Sequence, residues 1–100
     1  MNALTMKHLR YFDALARHRH FGRAAEASSI SQPALSLQIK ELEALVGAPL
    51  VERGARQVRL TALGEDFARR TTEILAAVDE LGALADVAAG PLSGVLRLGV

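Results

Sequence analysis

The segment between Ser31 and Pro49 constrains the fold of this chain most, because it carries both the start and the stop signal of a helix. Ser31 can cap a helix, and Pro33 falls in the first turn, where its missing N–H is no loss. Gly47 followed by Pro49 ends the helix. The apolar residues in between recur on one stripe, at Leu35, Ile39, Leu42 and Val46. We therefore predict a helix over about Gln32 to Val46, whose polar residues point elsewhere: Gln32, Ser36, Lys40 and Glu43.

A shorter helix precedes this one. Its residues Arg23 to Ala27 include three alanines, which let another helix approach closely. Ser28, Ser29 and Ser31 then crowd around a lone Ile30 and end it early. Two short helices joined by a serine-rich turn, at about residues 21–40, predict a helix-turn-helix.

Two further elements flank this motif. An amphipathic helix is predicted from Met6 to about Arg17, with Thr5 as its candidate cap. On the other side, the β-prone segments 50–52 and 58–60 flank a bend at Gly54, which predicts a small hairpin. A hairpin directly after the second helix of such a motif is a wing.

A long helix follows over roughly Ala62 to Ala89, capped by Thr61 and ended by Gly90-Pro91. At 1.5 Å per residue it would extend ~42 Å. Because its apolar stripe is too wide for its own domain to bury, we predict that the helix pairs with a second subunit. The stripe alternates spacings of four and three, like the seam of a coiled coil, at Phe67, Thr71, Ile74, Val78, Leu81, Ala85 and Ala88.

These elements define a mainly α fold class: a winged helix-turn-helix of three helices and a two-stranded wing, followed by a long dimerisation helix. The wing completes a first domain over residues 1–61, and the linker helix covers residues 62–89. Residues 90–100 have the pattern of a hinge and a β-strand from a parallel sheet. We therefore expect the natural protein to continue into an α/β domain.

Charge is distributed unevenly along the chain. Residues 1–60 hold nine Lys/Arg and five Asp/Glu, a balance of +4, whereas residues 61–100 hold three and six, a balance of −3. The first half is thus the better candidate for an anionic partner. The sequence has no cysteine, which excludes disulfides and cysteine nucleophiles within it. Since it also lacks the patterns of a signal peptide and of a membrane span, we expect a cytoplasmic, nucleoid-associated protein.

The start of the second motif helix carries the side chains best suited to reading DNA. An α-helix fits the major groove, and its N-terminal residues reach base edges. Gln32 can make a two-pronged contact with adenine, and Ser36 can reach a base or a phosphate. The alternative is that Ser31 is only a cap and Gln32 only an exposed helix residue.

Basic residues around this helix are candidates for backbone contacts. Arg53 and Arg56 on the wing can enter a minor groove or bind phosphates. Arg23 and Lys40 can bind phosphates and so position the helices without reading sequence. The alternative is that the wing arginines only solubilise the surface.

We predict no catalytic, cofactor-binding or metal-binding residues. His8, His18 and His20 invite a metal-sensor hypothesis, but they lack the carboxylate or cysteine partners that a zinc site needs. The serines have no neighbouring base in an obvious triad, and no glycine-rich phosphate loop is present. We therefore do not expect an enzyme.

Over nearly its whole length the chain resembles the LysR-type transcriptional regulators, in their N-terminal DNA-binding domain and linker helix. The terminal residues 94–100 are similar to the first strand of that family's effector-binding domain. The other matching residues include the runs 9–12, 23–26, 31–36, 38–39, 42–43, 52–53 and 60–61, with Leu45, Gly47, Leu50, Arg56, Val58 and Gly64.

The resemblance implies a DNA-binding regulator that acts as a homodimer, or as a tetramer in the full-length protein. Its implied partners are double-stranded promoter DNA with an interrupted inverted repeat, and RNA polymerase. It also implies DNA contacts for Gln32, Pro33, Ser36 and Arg53, which join the candidates Arg23, Ser31, Leu37, Lys40 and Arg56.

The chain departs from the family pattern at two positions. Leu37 stands where many members place an arginine, and a leucine can touch a thymine methyl but cannot bind a phosphate or guanine. Gly22 stands where Ser or Thr is frequent, and so forgoes a side-chain cap.

Within the family, the run Arg17 to Phe21 and the wing, residues 50–61, are most similar to the peroxide-responsive OxyR branch. That resemblance implies control of oxidative-stress genes through an effector domain absent here. One alternative is a LysR-type regulator that responds to a small-molecule inducer. Another, from a different class, is a helical dimerisation or protein-interaction module that does not bind DNA.

Overall fold

Four α-helices dominate the described part of the chain, which in this computed structural model comprises residues 3–54 and 57–96, with side chains described as far as residue 89. An antiparallel pairing of Val51 with Leu60 lies between the third and fourth helices. The predicted mainly α class is confirmed. The helices are α1 (Met6–His18), α2 (Phe21–Ala27), α3 (Gln32–Val46) and α4 (Ala62–Leu96).

α1 begins with a reciprocal cap. The Thr5 hydroxyl accepts a hydrogen bond from His8 N (3.3 Å), and His8 Nδ1 accepts one from Thr5 N (3.1 Å). The helix ends at Arg19, whose backbone is left-handed at φ 52° and whose N–H donates to Leu15 O (2.8 Å). The predicted cap at Thr5 is confirmed. The hydrogen bond from Thr5 N to His8, which completes the capping box, was not predicted.

The turn between α2 and α3 is closed by local hydrogen bonds. Ile30 N donates to Ala25 O (3.0 Å), and Ser31 Oγ accepts from Ala34 N (3.1 Å), which caps α3 as predicted. Gly47 ends α3 at φ 86°, a conformation that glycine adopts without steric cost. The predicted bounds of α3 are confirmed.

The core lies where α1, α2 and α3 converge on the first turns of α4. Ala24 and Ala25 of α2 are buried in it, so small side chains let the neighbouring helices approach. Phe67 of α4 meets Phe12 of α1 edge-on, with ring centroids 5.5 Å apart and ring planes at 85°. The largest fully buried apolar side chains are Phe12, Leu15, Leu35, Ile39, Leu42 and Leu50.

The predicted wing is closed at its base. Glu52 N donates to Arg59 O (2.8 Å), and Thr61 N donates to Leu50 O (3.0 Å), so the two arms pair in antiparallel fashion. The Thr61 hydroxyl donates to Pro49 O (2.9 Å) and accepts from Gly64 N (2.9 Å). The same residue therefore closes the hairpin and caps α4, as predicted for the cap.

α4 continues beyond its predicted end. The expected stop at Gly90-Pro91 is wrong, because the helix runs on to Leu96, and residues 92–96 of the expected hinge and strand are helical. A strand of a parallel sheet needs neighbours for its hydrogen bonds, and the described ranges offer it none, whereas a helix satisfies its backbone locally. Residues 97–100 of that prediction lie outside the described residues.

Within the described ranges, no helix combines the length and the apolar character that crossing a membrane requires.

Gly64 is required by the close contact between α4 and the wing. A Cβ added there would lie 2.1 Å from Leu50 O, a backbone atom that cannot move aside cheaply. We expect Gly64→Ala to lower the free energy of unfolding by about 1–3 kcal/mol through overpacking. Urea denaturation followed by circular dichroism measures this change.

The matched control is Gly82→Ala on the same helix, where an added Cβ would meet no atom within 4 Å. Alanine is the better helix former by up to about 1 kcal/mol, so this variant should be as stable as the natural chain or slightly more stable. Equal stability of the two variants would contradict the proposed close contact.

Candidate nucleic-acid interface

One face of α3 is left uncovered by the rest of the domain. Gln32, Pro33 and Lys40 are exposed, and Ser36 is half-buried at the edge of the core. At 100° per residue these four positions span an arc of ~100° around the helix, and Leu37 lies ~40° beyond it. With 64% of its surface exposed, Leu37 has an apolar side chain that its own domain does not cover. The predicted reading residues thus share one accessible surface.

Arg23 and Gln32 lie at a recess of about 540 Å³ between the N-termini of α2 and α3 and the returning arm of the wing. Gln57 from the wing lines the same recess and was not among the predicted contacts. None of the described residues that line the recess is acidic, so the recess suits an anionic group. The lining consists of His18, Arg19, His20, Phe21, Gly22, Arg23, Gln32, Gln57 and Val58.

The start of α2 is capped by His20. Its Nδ1 accepts a hydrogen bond from Arg23 N (3.0 Å), so the helix has a side-chain cap two residues before Gly22. A Cβ on Gly22 would lie 3.0 Å from the His20 ring, which explains why the smallest residue follows this unusual cap. The sequence does offer a capping acceptor at this position, the ring nitrogen of His20. It was not recognised as a cap because His20 belongs to a run of basic residues.

Glu43 is the residue of α3 that the sequence pattern misplaced. It was predicted to point away from the apolar stripe, but it is buried, with only 9% of its surface exposed. Its Oε2 accepts from Leu50 N (2.7 Å) and Val51 N (3.0 Å), and its Oε1 accepts from Arg53 Nη2 (2.5 Å). Its burial follows from these bonds, because a buried charge is tolerated when it is paired and hydrogen-bonded.

The predicted basic contacts differ in how they are paired. Arg53 is bound to Glu43, whereas no ion pair is found for Arg23 or Lys40 within residues 3–54 and 57–96. Two unpaired cations beside the α3 face give that surface a positive character. Arg56 lies outside the described residues.

The predicted dimerisation stripe of α4 divides into two parts. Thr71 is buried and Phe67 packs against Phe12, so contacts within the chain account for both. From Ile74 onward the stripe is uncovered, with Leu81 67% exposed. The other uncovered members of the predicted stripe are Val78, Ala85 and Ala88.

Two of the three histidines have local structural contacts: His20 caps α2, and His8 helps to cap α1. His8 Nε2 lies 2.9 Å from Glu41 Oε1, in addition to its role in the α1 cap. No cluster of three or more His, Asp or Glu side chains that could hold a metal ion occurs among the described residues.

A helix-turn-helix with a wing and an uncovered basic surface defines a DNA-binding domain. The model of the family described as bacterial regulatory helix-turn-helix protein, lysR family, matches residues 6–65. The chain therefore belongs to the LysR family of DNA-binding transcriptional regulators, and its relatives are regulators rather than enzymes.

Curated relatives cover almost the whole chain. It is 48% identical to the HTH-type transcriptional regulator BudR of Klebsiella aerogenes over 97% of the chain and 68% of BudR. It is 46% identical to a probable hydrogen peroxide-inducible genes activator of Streptomyces viridosporus, over 96% of the chain. The chain spans only 31% of the length of that activator.

Solved structures share the same architecture. A DNA complex of the BenM DNA-binding domain at catB site 1 matches 87% of the chain and 98% of that domain, with a TM-score of 0.84 and 37% identity. A full-length OxyR variant from Pseudomonas aeruginosa matches 88% of the chain with a TM-score of 0.80 and 40% identity, and the match covers 29% of that protein.

Ser31 offers a test that separates capping from proximity to DNA. Ser31→Ala removes the acceptor for Ala34 N and should cost about 1 kcal/mol of stability. Ser31→Asp keeps a capping acceptor at the positive end of the helix, so stability should be preserved. Its carboxylate would repel DNA phosphates, so we expect weaker binding to a DNA duplex than for Ser31→Ala.

Urea denaturation gives the stabilities, and fluorescence anisotropy with a labelled duplex gives the affinities. If Ser31→Asp binds DNA as tightly as the natural chain, the start of α3 does not lie near DNA.

Proposed function

We propose that the chain reads promoter DNA by inserting α3 into the major groove. Gln32 and Ser36 contact base edges there, and Pro33 and Leu37 provide apolar contacts. Arg23, Ser31 and Lys40 contact phosphates, while Arg53 and Arg56 on the wing contact a minor groove or phosphates. The observation that carries this proposal is the single uncovered face of α3, which continues into a recess without acidic residues.

The chain acts as a homodimer that pairs through α4. In support, Ile74, Val78 and Leu81 are exposed apolar side chains on one side of a long helix. A twofold dimer presents two copies of α3, so its DNA site is an interrupted inverted repeat. Tetramers of the full-length protein and contact with RNA polymerase at the promoter extend the same proposal, in a protein of the cytoplasm and its nucleoid.

The full-length protein controls peroxide-stress genes. The similarity to the Streptomyces activator and to OxyR supports this role, but BudR is equally similar, so a small-molecule inducer is the alternative. The test is a footprint of the full-length protein on its promoter with and without hydrogen peroxide. A footprint that peroxide leaves unchanged would favour the small-molecule inducer.

Base preference provides the central test of the reading face. We expect Gln32→Ala to lose preference at one base pair, because its amide can pair with adenine. Leu37→Ala should lose sensitivity to a thymine methyl. Replacing dT by dU in the duplex should weaken its binding by the natural chain but leave its binding by the variant unchanged. Selection from a random duplex library, followed by anisotropy on single-base variants, measures both effects.

Lys40→Ala is the matched control, since a phosphate contact carries no sequence information. It should weaken all sequences alike and lower the slope of log affinity against log salt by about 1. If all three variants lower affinity by the same factor for every sequence, the assignment of base and phosphate contacts is wrong. If the natural chain binds no duplex at low salt, the whole proposal is wrong.

The exposed part of the α4 stripe provides the test of dimerisation. Leu81→Glu places a charge on the proposed seam and should convert the dimer to a monomer in sedimentation velocity. Ala83→Glu adds the same charge ~160° away around the helix and should leave the dimer intact. Pairing through this stripe would be contradicted if the natural chain is a monomer, or if both variants change the oligomeric state equally.

A DNA titration of the same samples distinguishes the rival function. A module that serves only protein interaction would dimerise through α4 and ignore DNA.

A further inference from the structure

We propose that Glu43 is a positioning residue for DNA binding, whose carboxylate fixes the wing and the Arg53 guanidinium relative to the reading helix. The proposal rests on the proposed function, because it takes the wing to lie on DNA. It concerns a residue that contacts no DNA itself and acts through Arg53.

The geometry joins three parts of the interface at one carboxylate. Glu43 belongs to α3, and at 100° per residue it lies only ~20° around the helix from Ser36. Its Oε2 receives the backbone N–H groups of Leu50 and Val51, the first residues of the wing. Its Oε1 receives Nη2 of Arg53 at 2.5 Å. The carboxylate thereby sets the distance between α3 and the wing.

Arg53 remains available to a second anion while it is held. Its side chain is 58% exposed, whereas that of Glu43 is only 10% exposed, so the pair has one buried and one open side. A guanidinium carries five N–H donors in a planar fork, and the hydrogen bond to Glu43 uses one N–H of Nη2. The remaining donors can bind a phosphate, with less conformational entropy to lose than for a free side chain.

Two opposing effects give the experiment a clear sign. If Glu43 acted only as a negative charge near DNA, neutralising it would strengthen binding to phosphates. If it positions Arg53, neutralising it weakens binding. Glu43→Gln keeps the shape and one oxygen for the wing amides, but it loses the charged acceptor for Arg53.

The experiment is a double-mutant cycle with Glu43→Gln, Arg53→Ala and the combined variant of the chain. The probe is a fluorescein-labelled duplex that the natural chain has selected from a random library, titrated by anisotropy at several salt concentrations. We expect each single variant to bind about 5–10-fold more weakly, with a salt slope lower by about 1. The combined variant should bind no more weakly than Arg53→Ala alone.

Glu52→Gln is the charge control, because Glu52 is an exposed wing residue next to Arg53. It removes the same charge and should leave affinity unchanged or slightly higher. Arg53→Lys leaves Glu43 intact and tests the same proposal if Glu43→Gln does not fold. A point-like ammonium cannot bridge two anions as a fork does, so this variant should lose affinity while its salt slope is retained.

Three results would overturn the proposal. The first is unchanged or tighter DNA binding by Glu43→Gln, and the second is a combined variant whose loss of affinity equals the product of the two single losses. The third is an Arg53→Lys variant that binds DNA like the natural chain. The first two leave the proposed function standing when Arg53→Ala still weakens binding. Absence of any DNA binding by the natural chain overturns the proposed function itself, and this inference with it.

Discussion

The edge-on contact between Phe12 and Phe67 is the interaction on which the rest of the structure depends. It joins the first helix to the last, across a core that α2 and α3 complete from the other side. An aromatic pair of this geometry is worth ~0.5–1.5 kcal/mol beyond the area that it buries. The direction of α4 follows from this contact together with the close approach of Gly64 to Leu50 and the burial of Thr71 and Leu75.

The limits of α1 and α3 could be predicted from the sequence because they are encoded locally. Thr5, Ser31 and Gly47 act within one helical turn of their own positions, so their effect requires no knowledge of the rest of the fold. The end of α4 could not be predicted in the same way. Whether residues 94–96 form a strand depends on a sheet with which they can pair, and that is not a property of the segment itself.

The candidate site was predicted in part for the same reason. Gln32 and Lys40 follow from the periodicity of α3, and the structure leaves them exposed as that periodicity requires. Leu37, which the family resemblance singled out, is exposed as well. Glu43 lies at the edge of the apolar stripe, where a glutamate ordinarily faces water. Only when the wing folds back, with its N–H groups turned inward, does burial of this carboxylate become favourable. Its role is therefore a product of tertiary structure.

α4 is held along only part of its length, and this has a mechanical consequence. Phe67 and Thr71 pack on the domain, and Arg10 reaches Asp79 at 3.3 Å, so the helix is anchored over its first half. Beyond Asp79 it continues for another 17 residues to Leu96, or about 26 Å at 1.5 Å per residue. A tilt of 10° about the anchor would displace the far end by roughly 4–5 Å. With α4 held straight, a lateral shift of its far end by the same few ångströms would in turn rotate the DNA-binding domain by roughly 10°.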